Sequence, residues 1–258
     1  MNDPNRLFLT NLPLWVFAAS FIVLLLTAIV GSRVRVKTHS LSSDEHDDFG
    51  VVLNTTLTLL GLLIGFSFSM AISRYDQRKN YEEAEANAIG TEYVRADLLP
   101  AGDAAKVRQL LRKYLEQRVM FYLTRDRGQL AKIDSDTAKL QNELWASVLP
   151  EAAVHPTPVM ALVVSGMNDV LNSQGYTQAA WWNRIPVAAW GMMAAIAVSC
   201  NFLIGYGAHA NSWRTLLIVP VVVSIAFFLI SDIDSPRGGA VRVIPYNLTS
   251  LSQSIAAH

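Results

Sequence analysis

The chain has 258 residues, 52% of them hydrophobic and only 16% charged, and its 21 basic and 21 acidic side chains cancel to a formal net charge of zero. That apolar content excludes a disordered chain, zero net charge gives no pull toward nucleic acid, and a single cysteine, Cys200, excludes an internal disulfide framework. The distribution of the charges decides between a soluble domain with a rich core and a membrane protein.

From Leu7 to Ser32 there is no Asp, Glu, Lys or Arg, and about 20 apolar residues suffice to cross a bilayer as a helix. The basic flank is only Arg6, offset by Asp3, and no small-residue cleavage site precedes Gly31, so this first span reads as an uncleaved anchor rather than a signal peptide. The acidic stretch that follows, Asp44, Glu45, His46, Asp47 and Asp48, reads as a plain acidic loop. It lacks the ligand spacing and turn glycine of a calcium loop.

The second uncharged stretch runs from Phe49 to Ser73. Gly61, Gly65, Ser69 and Ser73 recur every four residues, a spacing at which small side chains let helices approach closely. Ile64, Phe68 and Ile72 recur on another face; in a ring of copies such a stripe could stack apolar constrictions of the kind that gate by dewetting. Beyond Ser73 nothing breaks the helix before Pro100, so the spacing predicts one helix running out of the membrane into water. On that extension Glu85 and Glu92 lie two turns apart with Arg95 one turn further. They are candidates for a cation or for a partner's basic residue across an oligomer interface, although a solvated face with local ion pairs explains them as simply.

About two thirds of the charged residues fall between Arg74 and Arg184. Asp103 is expected to cap a helix with the stripe Val107, Leu111, Tyr114, Arg118 and Tyr122, broken by Gly128. Ile133, Thr137, Leu140, Leu144 and Val148 form the next stripe, ended by Pro150, and Pro156 and Pro158 open a last helix with Val159, Leu162, Met167 and Leu171. Two further uncharged stretches, Ile185–Ser212 and Thr215–Ile230, complete four spans. Trp15, Trp181, Trp182 and Trp213 lie near span ends, as interfacial indoles do, whereas Trp190 sits deeper and reads as packing. The fourth span closes in SDIDSPRGGAVRV, where two acids, a proline turn and two glycines look more specific than a generic boundary.

The fold class is therefore all-α: a polytopic membrane protein with four transmembrane helices and a helical cytoplasmic domain between the second and third. The divisions are a first hairpin over 1–73, the helical domain over 74–182, a second hairpin over 183–231 and a C-terminal tail over 232–258. With four spans both termini share a side with the helical domain. Arg6, Arg74, Arg78, Lys79, Arg184, Arg237 and Arg242 against Arg33, Arg35, Lys37 and Arg214 place that side in the cytoplasm of a bacterial inner membrane. No phosphate loop, nucleophile elbow or zinc-protease motif occurs and the five histidines are scattered, so neither an enzyme nor a bound cofactor is expected.

The block GLLIGFSFSMAISRYDQRKNYEEAEANAIGTEYVRADLLP, with MNDVLN, NRIP and DIDSPRGGAVRV, resembles the bestrophin-like domain family of bacterial and plant membrane proteins. The resemblance implies a four-span membrane protein and points to bestrophins, which are pentameric anion channels whose second span lines a neck with apolar residues four apart. It thus implies a homo-oligomer passing inorganic anions, with Ile64, Phe68, Ile72, Gly61, Gly65 and Ser69 as pore-lining candidates. It also implies a divalent cation near Asp232 and Asp234, similar in position to the bestrophin calcium clasp, although two acids fall short of a full clasp. The alternative is a non-conducting scaffold or sensor acting through its cytoplasmic helices.

Overall fold

A chain segment in lipid must satisfy its own N–H and C=O groups, which leaves the helix as the structure open to each uncharged stretch. The computed structural model describes residues 12–37, 43–208 and 213–257, and among them there are eight α-helices, one short 3-10 turn and no strand. The helices are α1 (Pro13–Lys37), α2 (Ser43–Arg95), α3 (Ala101–Leu123), α4 (Arg127–Val154), α5 (Pro158–Trp182), α6 (Val187–Gly207), α7 (Trp213–Asp234) and α8 (Tyr246–Ala256), with the 3-10 turn at Ala96–Leu98 between α2 and α3. Four stretches are long and apolar enough to cross a membrane: Pro13–Arg35, Asp48–Leu98, Pro158–Gly207 and Leu216–Asp234. At 53 residues α2 is about 80 Å long, far more than the ~30 Å of a hydrocarbon core. Its charge-free part, 49–73, is by itself long enough to span a membrane, and the helix continues past it.

The chain divides into two units, Met1–Tyr75 with Arg184–Arg242, and Asp76–Asn183 with Val243–His258. The first contains the membrane helices. Leu24 of α1, Leu60 of α2, Met193, Ala197 and Cys200 of α6, and Val223 and Phe227 of α7 form its main core, and Cys200 is fully buried there. Helices α1 and α6 touch backbone to backbone: a side chain on Gly205 would overlap the Ala28 carbonyl, and one on Gly31 would overlap the Phe202 carbonyl. Small residues at such crossings replace the hydrophobic effect that lipid cannot supply. At the far end of the crossing, Arg35 Nη1 donates to the carbonyls of Gly207 and Ala208 (2.8 and 2.6 Å), capping the carbonyl end of α6 with a positive charge.

In the second unit the stripes expected on α3 and α4 are buried, including Val107, Leu111, Tyr114, Arg118 and Tyr122 on one and Ile133, Thr137, Leu144 and Val148 on the other. The boundaries differ in detail. Pro100 takes the capping position of α3 and Asp103 sits in its first turn, α3 ends at Leu123, and Gly128 falls inside the first turn of α4 after the Asp126 cap. Pro150 does not stop α4, which continues to Val154; the proline falls near the helix end and removes one i→i−4 bond, the one to the Ala146 carbonyl. On α5 the buried face is Met160, Val163, Met167 and Val170, while Val159 and Leu162 are exposed. Apolar residues on both sides of that helix made its phase ambiguous. Trp181, expected at a membrane interface, is buried against Phe121 and Tyr122. Trp15 and Trp182 are exposed, Trp190 packs in the core of the first unit, and the Trp213 side chain lies outside the described residues.

The acidic stretch Asp44–Asp48 is not a loop but the start of α2, where negative charge favours the amino end of a helix. The side chains of residues 43–47 lie outside the described residues.

Candidate functional site

The uncharged part of α2 presents three different faces. Leu60, Ser67 and Ala71 are buried, and Ile64 and Phe68 lean onto the same chain's core, Phe68 and Ile64 packing with Ala71, Ile185, Ile230 and Ile233. A second face carries the large exposed side chains Leu59, Leu62, Phe66 and Met70. The third, at the i, i+3/i+4 spacing of Thr58, Gly61, Gly65, Ser69, Ile72 and Ser73, is small, largely polar, and exposed throughout. A side chain built on Gly61 or Gly65 would meet nothing within 4 Å. The apolar stripe expected to act as a unit is thus split: Ile64 and Phe68 turn toward the chain's own core, and Ile72 belongs with the small residues. Sequence spacing links positions four apart, but at 3.6 residues per turn each such step overshoots a full turn by about 40°, so a three-member row drifts by about 80° from one face to another.

The turn after α7 explains the DIDSPRGG block. Asp232 Oδ1 and Oδ2 accept the N–H groups of Ala240 and Val241, each at 2.8 Å. A side chain on Gly239 would overlap the Asp232 backbone, so this close return requires glycine. Asp234 accepts the Ile185 N–H at 3.2 Å through both oxygens and pairs with Arg74 at 3.6 Å. Both carboxylates are buried and held by their own chain. Among the described residues no group of three or more His, Cys, Asp or Glu side chains gathers as a metal would need.

In the second unit Glu85 and Glu92 are both fully buried, so the extension of α2 is not a solvated face. Glu85 is ion-paired with Arg118 through Nε, with Thr177 Oγ1 at 3.1 Å and the Tyr122 hydroxyl at 3.4 Å on its other oxygen. The Arg118 guanidinium also stacks over Phe121, 4.5 Å from the ring centre. Glu82, the first acid of the run on this extension, accepts the Leu248 N–H (2.9 Å) and the Asn247 side chain (2.7 Å), capping α8 from another helix. Its only advance signal was the run of acids itself. Arg95 donates to the Leu162 carbonyl at 3.3 Å.

A family model for the Bestrophin-like domain matches residues 18–248. A bacterial bestrophin homologue from Klebsiella pneumoniae has a similar structure, with a TM-score of 0.61 and 15% sequence identity over 92% of this chain and 95% of that one. An isoleucine-to-alanine variant of a bestrophin homologue from the same organism gives a TM-score of 0.64 at 11% identity, covering 95% and 97% of the two chains. At these identities the likeness is one of fold. Among the curated proteins compared, none matches.

Proposed function

Because the chain belongs to the bestrophin-like family and carries four membrane-spanning helices, it is an integral membrane protein, and we propose that it is a homo-oligomeric ion channel passing inorganic anions. The carrying observation is the division of labour on α2. Lipid suits Leu59, Leu62, Phe66 and Met70, whereas hydroxyls and glycines gain nothing from acyl chains. The face of Gly61, Gly65, Ser69 and Ile72 therefore lines a path shared by several copies, a pentamer on the family's pattern. Donor hydroxyls without fixed charge suit a partly dehydrated anion. Ile72 supplies the apolar constriction, while Ile64 and Phe68 support the wall from behind. In this reading Asp232 and Asp234 organise the turn that carries Arg237 and Arg242, rather than holding a divalent cation, and Glu85 and Glu92 serve the helical unit rather than an interface. The termini and that unit lie in the cytoplasm of a bacterial inner membrane.

The test is anion flux from liposomes containing the purified protein. Wild type should dissipate a chloride gradient, and Gly65→Leu, which has room to fold, should abolish flux while leaving the particle's subunit count unchanged. No flux under any anion gradient, or a Gly65→Leu protein that conducts as well as wild type, would overturn the proposal and leave a membrane scaffold.

A further inference from the structure

The carboxylate of Glu92 is fully buried near the end of α2, and neither of its oxygens has a hydrogen-bond donor. It lies against α5 where Gly166 has no side chain; a Cβ there would overlap both Glu92 Oε2 and Arg95 Nη1. The glycine therefore makes room for the acid. Arg95, one turn along α2, spends Nη1 on the Leu162 carbonyl instead. The charged groups acting on Glu92 are Arg95 on its own helix and Asp169 on α5, and they oppose each other. Glu85, by contrast, has an arginine and two hydroxyls around it.

A buried acid without donors is stable only when neutral. We propose that Glu92 is a proton-binding site that locks the end of α2 onto α5 while protonated and loosens that packing when it ionises. Burial, together with Asp169 and against Arg95, pushes its carboxyl up to about 8 from an ordinary 4.5. Between those values the folded chain holds a proton that the unfolded chain has released, so stability falls as pH rises through that window and is fully present only below it. The affected packing is local to the second unit, and the inference stands whether or not the protein conducts.

The experiment is thermal unfolding of the full chain in detergent across pH 5.5 to 9, with hydrogen exchange of residues 160–170 as a local readout. Wild type should lose melting temperature and exchange protection toward alkaline pH, and Glu92→Gln should show neither loss and melt higher than wild type at pH 9. Asp169→Asn, at an exposed position, removes a like charge and should move the wild-type step to lower pH. A Glu92→Gln protein with the wild-type pH profile would overturn the proposal. Were that variant not to fold, an Asp169→Asn protein with an unmoved step would overturn it and a lowered one would support it.

Discussion

Replacing Arg118 by methionine removes the guanidinium and keeps most of the side-chain volume. Glu85 and Arg118 are each fully buried, so the change strands a carboxylate whose remaining donors are Thr177 Oγ1 at 3.1 Å and the Tyr122 hydroxyl at 3.4 Å. Breaking one side of a buried pair costs roughly 3–5 kcal/mol, because the surviving charge stays out of water. Two hydroxyl donors recover part of this, which sets the expectation near ~3 kcal/mol, a large share of a total stability of about 5–15 kcal/mol. The double variant Glu85→Gln with Arg118→Met carries no stranded charge and should regain most of the loss, a coupling that a double-mutant cycle isolates. Denaturant unfolding in detergent, followed by tryptophan fluorescence to which Trp181 beside the site contributes, measures all four proteins. A cost for Arg118→Met below about 1 kcal/mol, or a double variant no better than the worse single one, would refute the argument that a closed, charged pair holds this core.

Glu82→Ala removes the acceptor for the Leu248 N–H and the Asn247 amide and should cost about 1–3 kcal/mol; limited proteolysis should then cut at Tyr246–Ala256 faster than in wild type. Gly205→Leu places a side chain on the Ala28 carbonyl and should destabilise by about 1–3 kcal/mol or more, read as a lower melting temperature, whereas Gly61→Leu, facing open space, should leave it nearly unchanged.

The membrane helices were legible because absence of charge over so many residues has one physical solution, and α2 was legible past the membrane because nothing between Ser73 and Pro100 interrupts it. The α3 and α4 stripes were legible because polar residues separate them cleanly. The phase of α5 was not, since Val159 and Leu162 are as apolar as the Met160 and Val163 that are buried. Glu85 and Glu92 read as a solvated face because acids usually are; what buries Glu85 is Arg118, 33 residues away, and what admits Glu92 is Gly166 on another helix. Such pairings depend on which helices meet, and no local spacing encodes that. The Gly31–Gly205 crossing was missed for the same reason.

The bond from Glu82 to the start of α8 spans 166 positions, and every membrane-crossing stretch is synthesised before its second half exists. Until residues 246–256 have been made, the Glu82 carboxylate lacks both of these donors, so the helical unit can close only after all four membrane-crossing stretches have been synthesised.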